Sequence, residues 1–86
     1  MRYEIIIKPS AEKSFAKLPA LQQRKIFSAI ELLVTNPKPS GVKKLKSSAE
    51  LYRIRVGDYR VIYSIENDVL TINIFKIGHR SDIYRG

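Results

Sequence analysis

Three arginines that could bind an anion, Arg53, Arg55 and Arg60, lie close together on either side of a predicted turn. The segment LYRIRVGDYRVIYSI has the alternating pattern of two strands, and its Gly-Asp dipeptide at 57–58 is typical of a two-residue hairpin. That turn sets Arg55 opposite Arg60 and brings all three arginines onto one face. Like charges directly opposite each other destabilise a sheet by about 0.2–1 kcal/mol per pair. The pattern favours an anion site, with ordinary solvated arginines as the alternative.

The other face of these two strands is apolar and predicts a buried side. It carries Tyr52, Ile54, Val56, Tyr59, Val61 and Tyr63. A turn at Asn67-Asp68 and a last strand at 69–77 extend the sheet, and the continued register sets Phe75 opposite Arg60. A nucleic-acid base stacks on such a ring with about 1–3 kcal/mol. The alternative is that Phe75 covers the edge of the sheet.

The last residues, GHRSDIYRG, contain further groups that could do chemistry. Gly78 is expected to end the strand, so His79, Arg80 and Tyr84 lie on a short tail that can fold against the arginines. This histidine is the only one in the chain. A lone histidine near a terminus is most often an exposed residue, and that interpretation stays open for His79.

The segment PKPSGVKKLKSS, residues 37–48, has the composition of a loop and carries Lys43, Lys44 and Lys46. These lysines are either an ordinary solvated loop or a patch that binds phosphates beside the arginines. The two interpretations are about equally supported.

The rest of the chain predicts one α+β domain over residues 1–86. A strand at 2–8 precedes two helices, one beginning at Ala11 behind Ser10 and one spanning about 20–35. Three antiparallel strands follow as a meander. We expect a four-stranded sheet with the helix hairpin on one face.

Composition limits the possible functions. The chain has 86 residues, a net charge of +8 and no cysteine, so it has neither disulfides nor thiolate zinc sites. A basic domain of this size favours nucleic acid as its partner. No apolar run is long enough to span a bilayer and no signal peptide is evident, so a cytoplasmic location is expected. Neither a metal-ligand motif nor a phosphate-binding glycine loop is present, so no metal or cofactor is expected.

The chain resembles the RelE/ParE superfamily of type II toxins, on the RelE side. The resemblance lies in LYRIRVGDYRVIYSI, the strand after it and the ending KIGHRSDIY, and it covers nearly the whole chain. It implies a RelE-like fold and a ribosome-dependent endonuclease that cuts mRNA in the A site without a metal. It also implies a cognate acidic, RelB-like antitoxin as partner, beside ribosome and mRNA.

The functional positions of the family fall on Arg53, Arg55, Arg60, Arg80 and Tyr84. The better-known RelE toxins have lysines at the first two positions. Arginine binds phosphate well but does not readily accept a proton. The resemblance therefore implies that the arginines hold the scissile phosphate. Tyr84 is then the candidate for orienting or deprotonating the attacking 2′-hydroxyl, and His79 is the less secure candidate for proton transfer.

Two other functions remain open. A ParE-like toxin would block DNA gyrase through protein contacts and cleave nothing. A basic module could also bind RNA or ribosomes without any chemistry. The tail tyrosine and the full set of basic residues favour the nuclease.

Overall fold

The computed structural model describes residues 2–39, 42–44 and 51–79. Within these ranges the chain forms two α-helices, five strands and a short 3₁₀ turn. In chain order they are β1 (Glu4–Ile7), α1 (Pro9–Ala16), α2 (Ala20–Leu33), β2 (Lys43–Lys44), β3 (Leu51–Val56), β4 (Tyr59–Glu66), the 3₁₀ turn (Asn67–Val69) and β5 (Thr71–His79). This arrangement confirms the predicted α+β class.

The sheet has five strands in the order β1-β5-β4-β3-β2, so the expected count of four was one too low. The additional strand is β2, whose Lys43 and Lys44 pair with Arg53 and Tyr52 of β3. A two-residue strand has no periodic pattern that sequence analysis could detect. β1 runs parallel to β5, while the other neighbours are antiparallel.

Both helices pack on one face of the sheet, as predicted. The stripe Ile26, Ile30 and Leu33 of α2 is buried against the side chains of β3, β4 and β5. α1 begins two residues earlier than expected, with Pro9 at its first residue, where a missing N–H costs nothing. Ser10 therefore does not cap the helix, and its hydroxyl donates to the carbonyl of Phe75.

An aromatic pair closes the helix side of the sheet. Tyr52 and Tyr63 stack with ring centroids 5.9 Å apart, and the Lys38 ammonium lies 5.3 Å from the Tyr52 ring. The hydroxyl of the fully buried Tyr63 donates to the Pro37 carbonyl at 2.6 Å. Burial raises the pKa of Tyr63 well above its usual range, and the nearby Tyr52 adds to the rise. This pair ties the segment after α2 to the sheet.

The β3–β4 hairpin has the predicted register. Arg55 pairs with Arg60, Arg53 with Ile62, and the tyrosines and aliphatic residues pair on the helix side. Gly57 has a φ of +63°, and no positive φ occurs at Asp58. A turn with positive φ only at its first central residue suits the right-handed twist of the hairpin.

The β4–β5 register differs from the prediction. The connection is a 3₁₀ turn followed by Leu70 in the left-handed region. Ser64 therefore pairs with Asn73, whereas the predicted two-residue turn at Asn67-Asp68 would pair it with Thr71. A β-bulge then adds another residue between the pairs Tyr63–Ile74 and Ile62–Lys76. As a result Arg60 pairs with Gly78 and not with Phe75.

Candidate anion-binding face

The face of the sheet opposite the helices, called the open face, carries the cations in two adjacent rows. Cross-strand partners share a face, so the rows follow directly from the strand register. The first row crosses four strands and contains Lys43, Arg53, Ile62 and Lys76; the second crosses three strands and contains Arg55, Arg60 and Gly78. Together they are called the cationic rows.

The second row places two guanidinium groups on directly paired residues. Arg55 is exposed and Arg60 is half-buried, with their Cα atoms opposite each other in the β3–β4 ladder. The predicted like-charge pair is therefore present. Such a pair is unfavourable unless an anion or solvent lies between the charges.

Arg60 is the residue that most strongly indicates a ligand. Its Nε and Nη1 atoms are buried and have no hydrogen-bond acceptor among the described residues. Leaving a buried donor unsatisfied costs about 1–3 kcal/mol, and more when the group is charged. An oxyanion in contact with this guanidinium would remove both this cost and the repulsion from Arg55.

Gly78 ends the second row beside Arg60. It pairs with Arg60 across the β4–β5 ladder and carries no side chain. The predicted strand end at Gly78 is wrong, because β5 continues through it to His79. One flank of Arg60 is therefore occupied by Arg55, and the other by backbone alone.

His79 lies on the opposite side of the sheet from Arg60. It is the last residue of β5 and pairs with Tyr59, whose ring packs against the helix-side core. The two rings meet edge to face with centroids 5.6 Å apart. The expectation that His79 belongs to a tail folded against the arginines is therefore wrong, because a residue next to Gly78 in a strand points to the other face.

Phe75 occupies the bulge and lies beside Lys8. The Lys8 ammonium is 6.0 Å from the centroid of its ring, and the Phe75 carbonyl accepts from Ser10. The predicted position opposite Arg60 is wrong because the turn and the bulge together shift β5 by three residues. Lys76, next in sequence, pairs with Ile62, where the register predicted from a two-residue turn would place Asn73.

Lys76 is the site residue that sequence reasoning missed. It is exposed and pairs with Ile62, which places it in the first cationic row. The signal that could have revealed it is the spacing of the buried isoleucines of β5. Ile72 and Ile74 are two apart, but Ile77 follows after three, which indicates a bulge between them.

The lysines of the segment 37–48 divide between the two sides of the sheet. Lys43 pairs with Arg53 in the first cationic row, whereas Lys44 pairs with Tyr52, whose side faces the helices. Lys46 lies outside the described residues, as do Arg80 and Tyr84.

The far end of the open face has a different character. Asn73 is buried and its amide donates to the Glu66 carboxylate at 3.1 Å and to the Ser64 hydroxyl at 3.4 Å. These residues, called the amide cluster, satisfy one another's hydrogen bonds.

The described residues contain no group of three or more His, Cys, Asp or Glu side chains placed to hold a metal ion. Neither helix in the described ranges has the length and apolarity that a membrane crossing requires.

Comparison with known proteins gives the family. Residues 5–84 match the family described as ParE toxin of type II toxin-antitoxin system, parDE. The chain belongs to the RelE/ParE superfamily of toxins. A protein named RelE1 from Methanocaldococcus jannaschii is 36% identical over 88 residues, which cover 99% of this chain and 98% of that protein. Toxin RelE of Mycobacterium tuberculosis is 35% identical over 96% of this chain and 87% of its own length.

Solved structures agree with this membership. The archaeal RelE in its complex with RelB from Pyrococcus horikoshii superposes with a TM-score of 0.83 at 33% identity, over 95% of this chain and 99% of that one. Although the matched family carries the ParE description, these relatives carry RelE names. The chain is therefore a RelE-like member of the RelE/ParE superfamily.

Proposed function

We propose that this protein is a ribosome-dependent endoribonuclease that cuts mRNA in the A site without a metal ion. The observation that carries the proposal is the buried guanidinium of Arg60, which lacks an acceptor for Nε and Nη1 in the described structure and lies beside Arg55. A phosphodiester supplies the missing acceptors and charge. The net charge of +8 and the RelE names of the relatives support the same conclusion.

The reaction we propose is attack of a ribose 2′-hydroxyl on the adjacent phosphate. The 2′-oxygen forms a bond to phosphorus and the bond to the 5′-oxygen breaks, which leaves a cyclic phosphate and a free 5′-hydroxyl. The proton of the 2′-hydroxyl passes to a base, and the departing 5′-oxygen gains a proton. Negative charge grows on the phosphate oxygens as the new bond forms.

Arg53, Arg55, Arg60 and Arg80 are proposed to bind the phosphate and stabilise that growing charge. A group aimed at charge that develops in the transition state contributes to the rate rather than to binding alone. Arginine does not give up its proton in the working pH range, so these residues do not transfer protons. Tyr84 is the proposed group for orienting or deprotonating the 2′-hydroxyl.

His79 is the weaker proton-transfer candidate. Its ring meets Tyr59 on the helix side of the sheet, while Arg60 belongs to the open face. A general base must come within hydrogen-bond reach of the proton it removes. Tyr84 is therefore the first position to substitute, and His79 the second.

An acidic antitoxin is the proposed regulatory partner. RelE proteins of Pyrococcus horikoshii and Mycobacterium tuberculosis were crystallised in complexes with antitoxins, and both superpose closely on this chain. A partner that neutralises a charge of +8 should bind more weakly as salt concentration rises. An activity on translating ribosomes would operate in the cytoplasm.

Primer extension on an mRNA translated in a reconstituted system tests the proposal. We expect cuts within codons that appear only when ribosomes and this protein are both present, and that persist when the divalent ions needed for translation are the only metals supplied. Arg80→Ala and Tyr84→Phe should abolish the cuts while leaving ribosome binding largely intact. Cuts on free mRNA, or equal losses of binding and cleavage, contradict the proposed roles.

Inhibition of DNA gyrase is the second candidate, favoured by the ParE description of the matched family. A supercoiling assay with purified gyrase separates the two functions. Loss of supercoiling activity, together with intact mRNA on translating ribosomes, replaces the nuclease with the gyrase inhibitor. The cationic rows would then contact protein rather than RNA.

A further inference from the structure

The first cationic row contains a buried apolar residue where the rest of the row carries charge. Ile62 is only 6% exposed, although it lies on the open face and is not part of the core cluster beneath the helices. Its direct cross-strand neighbours are Arg53 on β3 and Lys76 on β5. Long basic side chains bury their aliphatic stems along apolar surface and keep their charged ends in water.

This arrangement sets two cationic ends on either side of Ile62. Adjacent strands are about 4.8 Å apart, so the Cα atoms of Arg53 and Lys76 are separated by roughly 10 Å across β4. Side chains of this length can converge on one anion held above Ile62. The nearest carboxylate of β4 toward that end of the face, Glu66, already accepts from Asn73.

Ile62 and Arg60 are two positions apart on β4, and both side chains lie on the open face. The position above Ile62 is therefore roughly 6.8 Å from Arg60 along the strand. Successive phosphates of a single-stranded RNA backbone are separated by a similar distance. Two rows of cations with this spacing match two consecutive phosphates.

We propose that Lys76 forms a second phosphate site above Ile62, which binds the RNA phosphate next to the one held by Arg60, while Arg53 on the other side of Ile62 contacts both phosphates. The inference rests on the proposed action on RNA and adds to it a binding residue, Lys76. This site sets the path of the RNA backbone across the sheet, because one phosphate lies at the Arg55–Arg60 row and its neighbour lies toward the amide cluster. Lys76 contributes binding and does not contact the phosphate that is cut.

The test compares short 2′-O-methyl RNA oligonucleotides, which cannot be cleaved, by NMR titration of the purified full chain at low salt. A dinucleotide has one phosphodiester and a trinucleotide has two. We expect Lys76→Gln to weaken trinucleotide binding about three- to tenfold and to leave dinucleotide binding nearly unchanged. The salt dependence of trinucleotide binding should also fall by about 0.7 in slope for the lost phosphate contact.

Lys25→Gln on the exposed side of α2 is the matched control, since it removes the same charge from another surface. Equal losses for both variants overturn the second site, because they show only a general charge effect. A loss for Lys76→Gln that is as large with the dinucleotide also overturns it, because Lys76 would then bind the same phosphate as Arg60.

The cleavage assay separates this inference from the proposed function. If the length-dependent loss is seen but the unsubstituted protein cuts no mRNA on ribosomes, the second phosphate site is supported and the nuclease is overturned. If cleavage is seen without length dependence, the nuclease is supported and the second site is overturned.

Discussion

The two ends of the open face differ in how their polar groups are satisfied. In the amide cluster, buried Asn73 donates to Glu66 and Ser64. At the other end Arg60 has two buried nitrogen atoms with no acceptor among the described residues, and it is paired with Arg55. Both ends lie on the same sheet and are positioned by the same strands.

This difference separates a structural role from a binding role. Polar groups that hydrogen-bond to each other stabilise the fold, and their donors and acceptors are already used within the protein. Groups that remain unsatisfied lower stability, and such costs concentrate at functional sites, where a ligand removes them. Substitutions at the two ends should therefore have opposite effects on stability and activity.

The largest effect is expected for Arg60→Met, which keeps most of the stem and removes the charge. Removing one stabilising donor for a developing oxyanion costs about 10²–10³ in rate, so cleavage on ribosomes should fall by that factor. The free energy of unfolding should stay the same or rise by about 1 kcal/mol, because a buried unpaired charge is lost. Quantified primer extension and urea unfolding provide the two measurements.

Arg24→Met, on the exposed side of α2, is the control for that substitution and should leave both quantities unchanged. A marked loss of stability in Arg60→Met with normal cleavage would reverse the assignment and make Arg60 a structural residue.

Asn73→Ala should show the opposite behaviour. It removes the donor shared by Glu66 and Ser64 and should lower the free energy of unfolding by about 1–3 kcal/mol. Cleavage per folded molecule should not change. Asn36→Ala, at an exposed position, serves as the control in the same urea titrations. A specific loss of cleavage in folded Asn73→Ala would extend the functional site to the amide cluster.

Gly57→Ala tests the turn that aligns the second cationic row. A Cβ at Gly57 would meet no atom within 4 Å, so the cost comes only from the φ of +63°. We expect a loss of about 1–2 kcal/mol in thermal or urea unfolding. Gly57→Asn should lose less, because asparagine tolerates this region better. Equal stability of all three proteins would show that the turn does not constrain the hairpin.

Tyr63→Phe removes a hydroxyl that is hydrogen-bonded on the helix side of the sheet. At neutral pH we expect it to change the free energy of unfolding least. Losing the hydrogen bond to Pro37 should cost about 1 kcal/mol. Burial raises the pKa of Tyr63 in the folded state, so its contribution is complete below about pH 10 and is lost as pH rises beyond it. The parent should lose stability above pH 10 more steeply than Tyr63→Phe, by up to about 1.4 kcal/mol per pH unit. Parallel stability curves would contradict this sign.

The sequence was sufficient where structure is decided locally. The turn at Gly57 fixes the register of β3 and β4, so the pairing of Arg55 with Arg60 was predictable. The stripe of Ile26, Ile30 and Leu33 was predictable from helical periodicity for the same reason. Both depend on residues that are neighbours in sequence or one turn apart.

Prediction failed where tertiary packing overrides local pattern. Leu70 adopts the left-handed region although it is neither glycine nor asparagine. The residue types at this position therefore do not predict the longer connection. The longer connection and the bulge together shift the register of β5 by three residues. For this reason Phe75 was predicted opposite Arg60, and the place of Lys76 in the first cationic row was not predicted. The short β2 exists only because β3 offers it a partner, and His79 was misplaced because Gly78 continues a strand.

The bulge at Phe75 has a consequence for how the length of this gene segment can vary. It reverses the alternation of β5, so that Ile74 and Ile77 both lie inside while Lys76 lies outside. Deleting the codon for Phe75 would remove the bulge and restore regular alternation, with Ile74 inside, Lys76 outside and Ile77 inside. The bulge is therefore a position of β5 where the chain can become one residue shorter while the core isoleucines and the cationic rows keep their faces.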